Sequence, residues 1–348
     1  MEARNIIGIL TGGGDCAGLN AAIRAATKTA FYSGYEVVGI RDGWEGLLHK
    51  TTEILDPAKT SGIIDRGGTI LGASRTGPFQ VEDGPKRILS TSEELGLQAL
   101  VVLGGDGTLS AASKLFEMGL PVVGIPKTID NDVEETDYAI GFQTAVQIAT
   151  DALDRLRSTA ASHHRVMILE VMGRHAGWIA TYAGMSGGAD AILIPEIPMD
   201  GDKIDLLCQM LKKRSVIMNF SVVVVAEGTI LEGKVVTKSR FDTESENHHP
   251  KLGGIGQVLA ELIETATDLE TRVSSLGYIQ RGGTPVAYDR SLATAFGVKA
   301  IELVKQRRCG QMTALRGNKI TSVPLARVAG RIKTVDLAVY RTAERFFG

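Results

Sequence analysis

The sequence is poor in cysteine and lacks long apolar runs, and both shortages exclude whole classes of protein. Its 348 residues include three cysteines, Cys16, Cys208 and Cys309, which are far apart and never in C-x-x-C spacing. That pattern argues against a disulfide framework or a structural zinc site and fits a reducing cytosol. No apolar run reaches the length that crosses a membrane, and the first residues show no signal-peptide layout. We therefore expect a cytoplasmic protein with no membrane partner.

An excess of charge of either sign is also missing. The chain has 38 basic and 40 acidic residues, and a formal net charge of −2. Bulk electrostatics therefore gives no attraction to nucleic acid, and we expect none as a partner. Any anion must be bound by a few locally placed groups. The length of 348 residues suggests one large or two medium domains, and the 44% of hydrophobic residues suffices for a sizeable core.

Short apolar runs alternate with segments of helical pattern along the chain. The strand-like runs are Ile6–Leu10, Tyr35–Ile40, Ala99–Leu103, Pro121–Ile125, Val166–Val171, Ala191–Ile194 and Phe220–Ala226. The helix-length patterns include Leu19–Tyr32, Thr108–Met118, Thr144–Ser158 and Gly254–Ala266. This alternation predicts an α/β fold with parallel sheets covered on both faces, and ligands beyond the carboxyl ends of the strands. The very polar stretch from Arg240 is predicted to be a mobile loop or insertion, with His248 and His249 solvated.

A glycine-rich loop, TGGGD, follows the first strand and opens the first helix. Its glycines let backbone N–H groups approach an anion, and the helix N-terminus adds a partial positive charge. The lysine and hydroxyl that end a Walker A loop are missing. A tight strand-to-helix turn without a ligand is the alternative.

A second loop, GGDGT at residues 104–108, repeats this arrangement after another apolar strand. Asp106, at the strand end, has the oxygen ligands that a divalent cation prefers. Gly107 leaves room for a bulky phosphate-bearing ligand. Two such loops are harder to explain as simple turns than one.

The third loop, PKTIDND at residues 126–132, places a lysine beside two aspartates. Phosphoryl transfer needs a base, a metal holder and a cation on the moving group, and Asp130, Asp132 and Lys127 supply those groups. The alternative is a capped turn in which Thr128 or Asp130 accepts a nearby backbone N–H.

Arginines at strand ends complete the candidate phosphate ligands. Arg174 lies in MGRHAGW, Arg165 begins a strand, and Arg272 and Arg281 flank Tyr278. Guanidinium groups suit bidentate recognition of phosphate. For any single arginine, a surface salt bridge is the alternative.

Six motifs, in order, identify a family: TGGGD, GGDGT, PKTIDND, MGRHAGW, AEG and LGYIQRGGTPVAYDR. From about Ile6 to past Arg290 the chain resembles the 6-phosphofructokinases. NAD kinases and diacylglycerol kinases share GGDGT, but PKTIDND and IQRGG point away from them. The resemblance implies Mg2+-dependent phosphoryl transfer to the 1-hydroxyl of fructose 6-phosphate, with fructose 1,6-bisphosphate as the product.

The resemblance also implies an architecture of two similar three-layer domains with mostly parallel sheets. Residues 1–141 with 280–330 would bind the phosphoryl donor and Mg2+, and residues 142–279 with 331–348 the sugar phosphate. It further implies a homodimer or homotetramer, because arginines of a neighbouring subunit complete each sugar-phosphate site.

The resemblance implies a role for individual residues of this sequence in each matching motif. The catalytic set is Asp130 as the base, with Thr128, Lys127 and Arg174. The donor set is Gly13, Arg75, Thr76, Gly105, Asp106, Gly107 and Thr108, and Asp106 and Asp132 would hold Mg2+. The sugar-phosphate set is Thr128, Asp130, Met172, Gly173, Arg174, Glu227, Tyr278 and Arg281, with Arg165 and Arg272 reaching the site of a neighbouring subunit.

The donor signature is mixed. A lysine at position 127 resembles pyrophosphate-dependent members, whereas Gly107 leaves space where an aspartate would repel the nucleotide's α-phosphate. Thr76 and Gln80 stand where other members contact the nucleotide with an aromatic residue and an arginine. We predict ATP as the donor, with pyrophosphate as the alternative. A catalytically silent subunit or metabolite sensor is disfavoured, because Asp106, Asp130, Asp132 and Arg174 are all retained.

Overall fold

The structure is a computed structural model that describes residues 5–237 and 252–348. The polar stretch from Arg240, with His248 and His249, lies outside the described residues. Contacts divide the chain into two compact units. Unit 1 comprises residues 1–144 and 281–332, and unit 2 comprises residues 145–280 and 333–348.

The elements alternate between strand and helix, as the sequence predicts. The strands are β1 Ile6–Thr11, β2 Glu36–Ile40, β3 Thr52–Leu55, β4 Leu97–Gly104, β5 Val122–Pro126, β6 Val166–Val171, β7 Ala191–Leu193, β8 Ser221–Ala226, β9 Ile230–Leu231, β10 Lys234–Val235, β11 Thr271–Ser275, β12 Gln311–Arg316 and β13 Lys319–Pro324. The helices are α1 Leu19–Tyr32, α2 Trp44–Leu48, α3 Gly84–Glu94, α4 Asp106–Glu117, α5 Phe142–His163, α6 Trp178–Ser186, α7 Gly201–Met218, α8 Ile255–Thr267, α9 Ala287–Lys305 and α10 Leu337–Glu344.

Unit 1 is built on a seven-stranded sheet in the order β13-β12-β5-β4-β1-β2-β3. Its central strands are parallel, and β3 and β13 pair antiparallel at the two edges. The central strands consist almost entirely of buried apolar residues, because helices cover both faces of a parallel sheet. The order reverses at β1, whose neighbours are β2 and β4, and such a switch point opens a crevice for ligands at the carboxyl ends of the strands.

Unit 2 contains a four-stranded parallel sheet in the order β11-β6-β8-β7, and a short hairpin of β9 and β10. A core of aliphatic side chains from β6, β8, α7 and α8 lies beneath it. The predicted α/β class with mostly parallel sheets is confirmed in both units. No helix within the described ranges has the length and apolar character needed to cross a membrane.

The sequence pattern missed several edge strands. Strand β3 reads TEIL, and its Ile54 is 75% exposed, so it shows no apolar run. Strands β12 and β13 form an antiparallel hairpin at the opposite edge. Helix α5 extends beyond the predicted Thr144–Ser158 at both ends. The edge strands β3 and β13 carry a weaker hydrophobic signal because they are partly exposed, whereas β12 is mostly buried and mixes polar with apolar residues.

A buried aspartate secures the start of helix α5. Asp289, in the first turn of α9, accepts hydrogen bonds from the N–H of Gly141 (2.9 Å), the N–H of Thr144 (2.8 Å) and the Thr144 hydroxyl (2.6 Å). Burial raises the pKa of this carboxyl group, and the hydrogen bonds from Thr144 and Gly141 act in the opposite direction. Asp289 therefore caps a helix that would otherwise begin with unsatisfied N–H groups.

We expect Asp289→Ala to destabilise unit 1, because it leaves two buried N–H groups without their acceptor. Each such group costs about 1–3 kcal/mol, so the melting temperature should fall by several degrees. Thermal unfolding monitored by circular dichroism measures this. Asp154→Ala is the control, since Asp154 lies exposed on α5 and should leave the melting temperature unchanged. Equal melting temperatures for the two variants would contradict the capping role.

Candidate active site

The TGGGD loop leaves β1 and turns into α1 against its neighbours in unit 1. The N–H of Gly12 donates to the carbonyl of Leu103 in β4, and the N–H of Gly13 donates to the carbonyl of Ser74, both at 2.9 Å. Gly13 has a φ of 76°, which favours glycine. Gly13, which the resemblance assigns to the donor set, is thus bonded through its N–H to the segment that carries Arg75.

This loop lines an open cleft of about 520 Å³. Its walls are formed by Gly13, Gly14, Asp15, Gly67, Gly68, Thr69, Ala73 and Arg75. The structure therefore brings Gly13 and Arg75, predicted separately from two motifs, to the same cavity. The cleft lies at the carboxyl end of β1, where the switch point of the sheet predicts a ligand.

Lys127 lies beneath the loop and is 3% exposed. Its Nζ donates to the carbonyl oxygens of Gly12 (2.9 Å) and Gly14 (2.5 Å). Burial lowers the pKa of this ammonium group, while the nearby carboxyl groups of Asp15 and Asp130 act to raise it. Sequence reasoning predicted the cation but not its contacts with the loop backbone.

Arg281 reaches the same loop. It is 9% exposed, and its Nη1 donates to the carbonyl of Asp15 at 3.2 Å. Beside the loop, the buried thiol of Cys16 donates to the carbonyl of Ile140, and burial raises its pKa to about 12. Cys16 is therefore a neutral packing group.

The GGDGT loop starts helix α4. Asp106 is its first residue, and its Oδ1 accepts hydrogen bonds from the hydroxyl of Ser110 (3.1 Å) and the N–H of Gly330 (3.0 Å). These donors orient a carboxylate at the carboxyl edge of the sheet. Gly107 is exposed, and a Cβ atom at this position would have no neighbour within 4 Å. The fold itself therefore leaves room for a larger residue there.

The PKTIDND loop follows β5, the neighbour of β4. Gly104 pairs with Pro126, so the second and third loops leave the sheet side by side. The Thr128 hydroxyl accepts a hydrogen bond from the N–H of Asp130 at 3.1 Å, which is the capped turn expected as an alternative. Asp130 is buried and Asp132 is half-buried, so the turn also presents two carboxylates at this edge.

Asn131 is a residue that sequence reasoning missed. It has a φ of 50°, and its side chain donates to the carbonyl of Asp137 and accepts from the N–H of Ala139. These bonds tie the loop, between its two aspartates, to the segment that follows it. Asparagine tolerates the left-handed conformation, which is the signal that could have identified it.

The positions predicted to face a nucleotide have partners within the chain. The hydroxyl of Thr76 donates to the carboxylate of Glu45, and the side-chain carbonyl of Gln80 accepts from the N–H of Gly77 at 2.8 Å. The hydrogen bond from Thr76, followed by one from Ser74, lowers the pKa of Glu45. Glu45 thus holds the segment that carries Arg75, and no sequence motif indicated it.

In unit 2, the MGR turn lies at the carboxyl ends of β6 and β8. The N–H of Arg174 donates to Glu227 at 3.4 Å, and the N–H of Met172 donates to the Gln280 side chain at 3.3 Å. Arg174 has a φ of 51° and Gly173 one of 141°. Left-handed backbone at a non-glycine residue stores strain of the kind found at functional sites. Met172, Gly173, Arg174 and Glu227 therefore form one group.

Arg165 and Arg272 lie at the opposite end of that sheet. Arg165 precedes β6, and Arg272 is the second residue of β11, its parallel neighbour. Both pair with Glu270, at 2.8 Å and 2.5 Å, and these contacts lower the pKa of its carboxyl group. With a rise of about 3.3 Å per residue, Arg165 lies roughly 20 Å along the strand from Met172. Tyr278 follows β11 and is 70% exposed.

The described ranges contain no group of three or more His, Cys, Asp or Glu side chains that could hold a metal by themselves. Mg2+ is commonly bound by one or two carboxylates together with substrate phosphates and water. Asp106 and Asp132, both half-buried oxygen donors at the carboxyl edge, fit that requirement.

Comparison with known proteins adds independent evidence. The model of the family described as phosphofructokinase matches residues 6–304. A pyrophosphate–fructose 6-phosphate 1-phosphotransferase of Streptomyces coelicolor is 48% identical over 345 residues, covering 98% of this chain and 99% of that protein. The ATP-dependent 6-phosphofructokinase 3 of the same organism is 49% identical over 341 residues, covering 97% and 98%.

A solved structure agrees with these relatives. Phosphofructokinase from Saccharomyces cerevisiae superposes with a TM-score of 0.81 at 32% identity over 93% of this chain, which spans 45% of the yeast chain. Relatives named for both donors are thus about equally similar, so identity does not select a donor. The extent of the family match and the similarity over almost the whole length give one conclusion: the chain belongs to the phosphofructokinase family.

Proposed function

We propose that this protein transfers a phosphoryl group from MgATP to the 1-hydroxyl of fructose 6-phosphate, as a cytoplasmic enzyme of glycolysis. The observation that carries the proposal is the meeting of three loops at one edge of the unit 1 sheet. Two are glycine-rich, and the third presents Asp130 and Asp132. Three free cysteine thiols suit a reducing compartment.

In unit 1, the chemistry assigns a role to each loop. Asp130 accepts the proton of the sugar 1-hydroxyl as it attacks, and Thr128 positions that hydroxyl. Gly13, Gly105, Gly107 and Thr108 border the donor, and Arg75 neutralises negative charge on the transferred group. Asp106 and Asp132 hold Mg2+, which when bound withdraws charge from the phosphate oxygens.

Unit 2 supplies the groups proposed to bind fructose 6-phosphate. Glu227 and the backbone of Met172–Arg174 contact the sugar, and the guanidinium of Arg174 also neutralises charge on the phosphate. Tyr278 and Arg281 are proposed to bind the 6-phosphate, as the resemblance implies. Hydrogen bonds from a guanidinium to phosphate are charge-assisted and therefore strong.

Gly107 supports ATP as the donor. It carries no side chain at the start of α4, and nothing in the fold occupies the space beside it. A nucleotide can pass where a carboxylate would repel its α-phosphate. Pyrophosphate is the second candidate, because Lys127 and the altered Thr76 and Gln80 resemble pyrophosphate users, and several close relatives are named for that donor.

A phosphorylation assay of fructose 6-phosphate, with ATP and pyrophosphate measured side by side, tests the proposal directly. We expect fructose 1,6-bisphosphate with ATP at a kcat/KM above that with pyrophosphate. Turnover with pyrophosphate alone would overturn the donor assignment and leave the phosphotransferase assignment intact. Turnover with neither donor would overturn both.

We predict that Asp130→Asn and Asp130→Ser bind fructose 6-phosphate normally but turn over several orders of magnitude more slowly. A general base contributes about 10²–10⁴-fold, and lost positioning adds to that. Steady-state kinetics and equilibrium binding of the sugar phosphate separate the two effects. Glu134→Gln, two residues beyond this loop, is the matched control. An Asp130 variant that keeps most of its kcat would remove this residue from the mechanism.

The donor assignment predicts that Gly107→Asp lowers kcat/KM for ATP by about two to three orders of magnitude, because like charges meet in a partly desolvated cleft. Pyrophosphate lacks the α-phosphate and nucleoside, so it should be affected far less. Gly107→Ala adds a methyl group without charge and has room in the fold, so it should retain ATP activity. Equal losses for both donors in the aspartate variant would contradict the proposed clash.

Arg165 and Arg272 support an oligomer with shared sites. Both lie at the opposite end of the β6–β11 pair from the MGR turn, too far to serve the sugar site of their own unit 2. We propose that they bind the 6-phosphate in a neighbouring subunit of a homodimer or homotetramer.

Arg165→Ala and Arg272→Ala should therefore each raise the KM for fructose 6-phosphate, through the loss of charge-assisted hydrogen bonds. Subunit mixing tests the sharing: hybrids of Arg165→Ala with Asp130→Asn should regain activity, because some sites would contain neither substitution. The hybrid state is verified by native mass spectrometry. Verified hybrids with no recovered activity at any mixing ratio would count against shared sites.

A further inference from the structure

The ammonium group of Lys127 already has hydrogen-bond partners within the protein, unlike a side chain whose only partner would be a ligand. The side chain is 3% exposed, and its Nζ donates to the carbonyl oxygens of Gly12 and Gly14. A buried ammonium group is stable only when it is hydrogen-bonded, and these carbonyls provide that compensation. The charge therefore acts on the backbone of the TGGGD loop.

The planarity of the peptide bond turns these two contacts into a constraint on the loop. In a trans peptide, the C=O of one residue and the N–H of the next point in opposite directions. Because the carbonyls of Gly12 and Gly14 point at Lys127, the N–H groups of Gly13 and Asp15 face away from it. The N–H of Gly13 does so, toward Ser74, on the side of the cleft that Arg75 also lines.

Resting on the proposed function, we infer that Lys127 is a positioning residue that fixes the peptide orientations of the donor loop and does not select between ATP and pyrophosphate. With its ammonium engaged, the carbonyls of Gly12 and Gly14 stay turned toward Lys127 and the N–H of Gly13 stays bonded to Ser74, so the loop that lines the cleft keeps one backbone arrangement. A loop whose backbone is already arranged need not reorganise during the reaction.

This role separates Lys127 from Gly107 in donor choice. Lys127 acts on loop peptides that any phosphoryl donor would meet, so its loss should harm both donors alike. Gly107 is exposed at the start of α4 and acts through the space it leaves. Lys127, which follows Pro126 in the third loop, is therefore compatible with either ATP or pyrophosphate as the donor.

The test is Lys127→Met, which keeps the length of the side chain and removes its charge and donors. We expect kcat/KM to fall about 10²-fold with each donor, as on misplacement of groups in an active site, with the ratio between the donors changed less than about threefold and the KM for fructose 6-phosphate unchanged. Hydrogen exchange followed by mass spectrometry should show faster exchange at the loop amides 12–16 than in wild type. Exposed Lys319→Met is the control for loss of a lysine.

Two outcomes would overturn the inference. A donor ratio shifted by about tenfold or more would show that Lys127 meets the donor itself. Unchanged exchange at the loop would show that it does not hold the peptides. The exchange measurement needs no turnover, so it stands even if wild type phosphorylates nothing, the result that would overturn the proposed function. If Lys127→Met does not fold, both measurements are made on Lys127→Gln, which keeps one hydrogen-bond donor group.

Discussion

The parallel ladder of hydrogen bonds between β1, β4 and β5 is the constraint on which the candidate site of unit 1 depends. Parallel neighbours run in the same direction, so each carboxyl end opens at the same edge of the sheet. The chain must return through a helix after each strand, and each return begins with a loop at that edge. Three loops far apart in sequence therefore become neighbours, with a helix N-terminus behind the first two.

Buried charge fixes these loops once the sheet has placed them. Lys127 lies beneath the first loop and Asp289 beneath the start of α5, and both compensate their burial with backbone partners. Such groups are costly unless every partner is in place, so they hold one arrangement of the loop in preference to others. The rigid backbone that results is what a phosphoryl-transfer enzyme needs, since positioning and preorganised charge supply most of its catalysis.

In unit 2, candidate site residues lie at both ends of the sheet, and not at the carboxyl edge alone. The carboxyl ends of β6 and β8 carry the strained MGR turn and Glu227, whereas the amino ends of β6 and β11 carry the two arginines that share Glu270. One sheet thus carries arginines at both ends, Arg174 at one and the pair that shares Glu270 at the other. In the proposed oligomer, one end of the sheet would serve the chain's own substrate site, and the other end would complete the substrate site of a second subunit.

The sequence by itself determined the class of fold and most of the candidate residues. Apolar strands buried on both faces leave runs that alternate with helices, and glycines and aspartates at strand ends mark the loops, so β1, β4 and β5 and their loops could be predicted from local signals. Edge strands β3 and β13 were missed because exposure weakens their pattern, and the mostly buried β12 was missed because polar residues interrupt its apolar ones. Only the tertiary structure decided what each charge contacts: that Lys127 bonds to loop carbonyls, that Glu45 holds the segment of Arg75, and that Asp289 caps a helix far away in sequence. Such contacts join residues separated by 31 to 145 positions, and no local pattern records them, because a side chain's partner is set by how the strands are ordered in space.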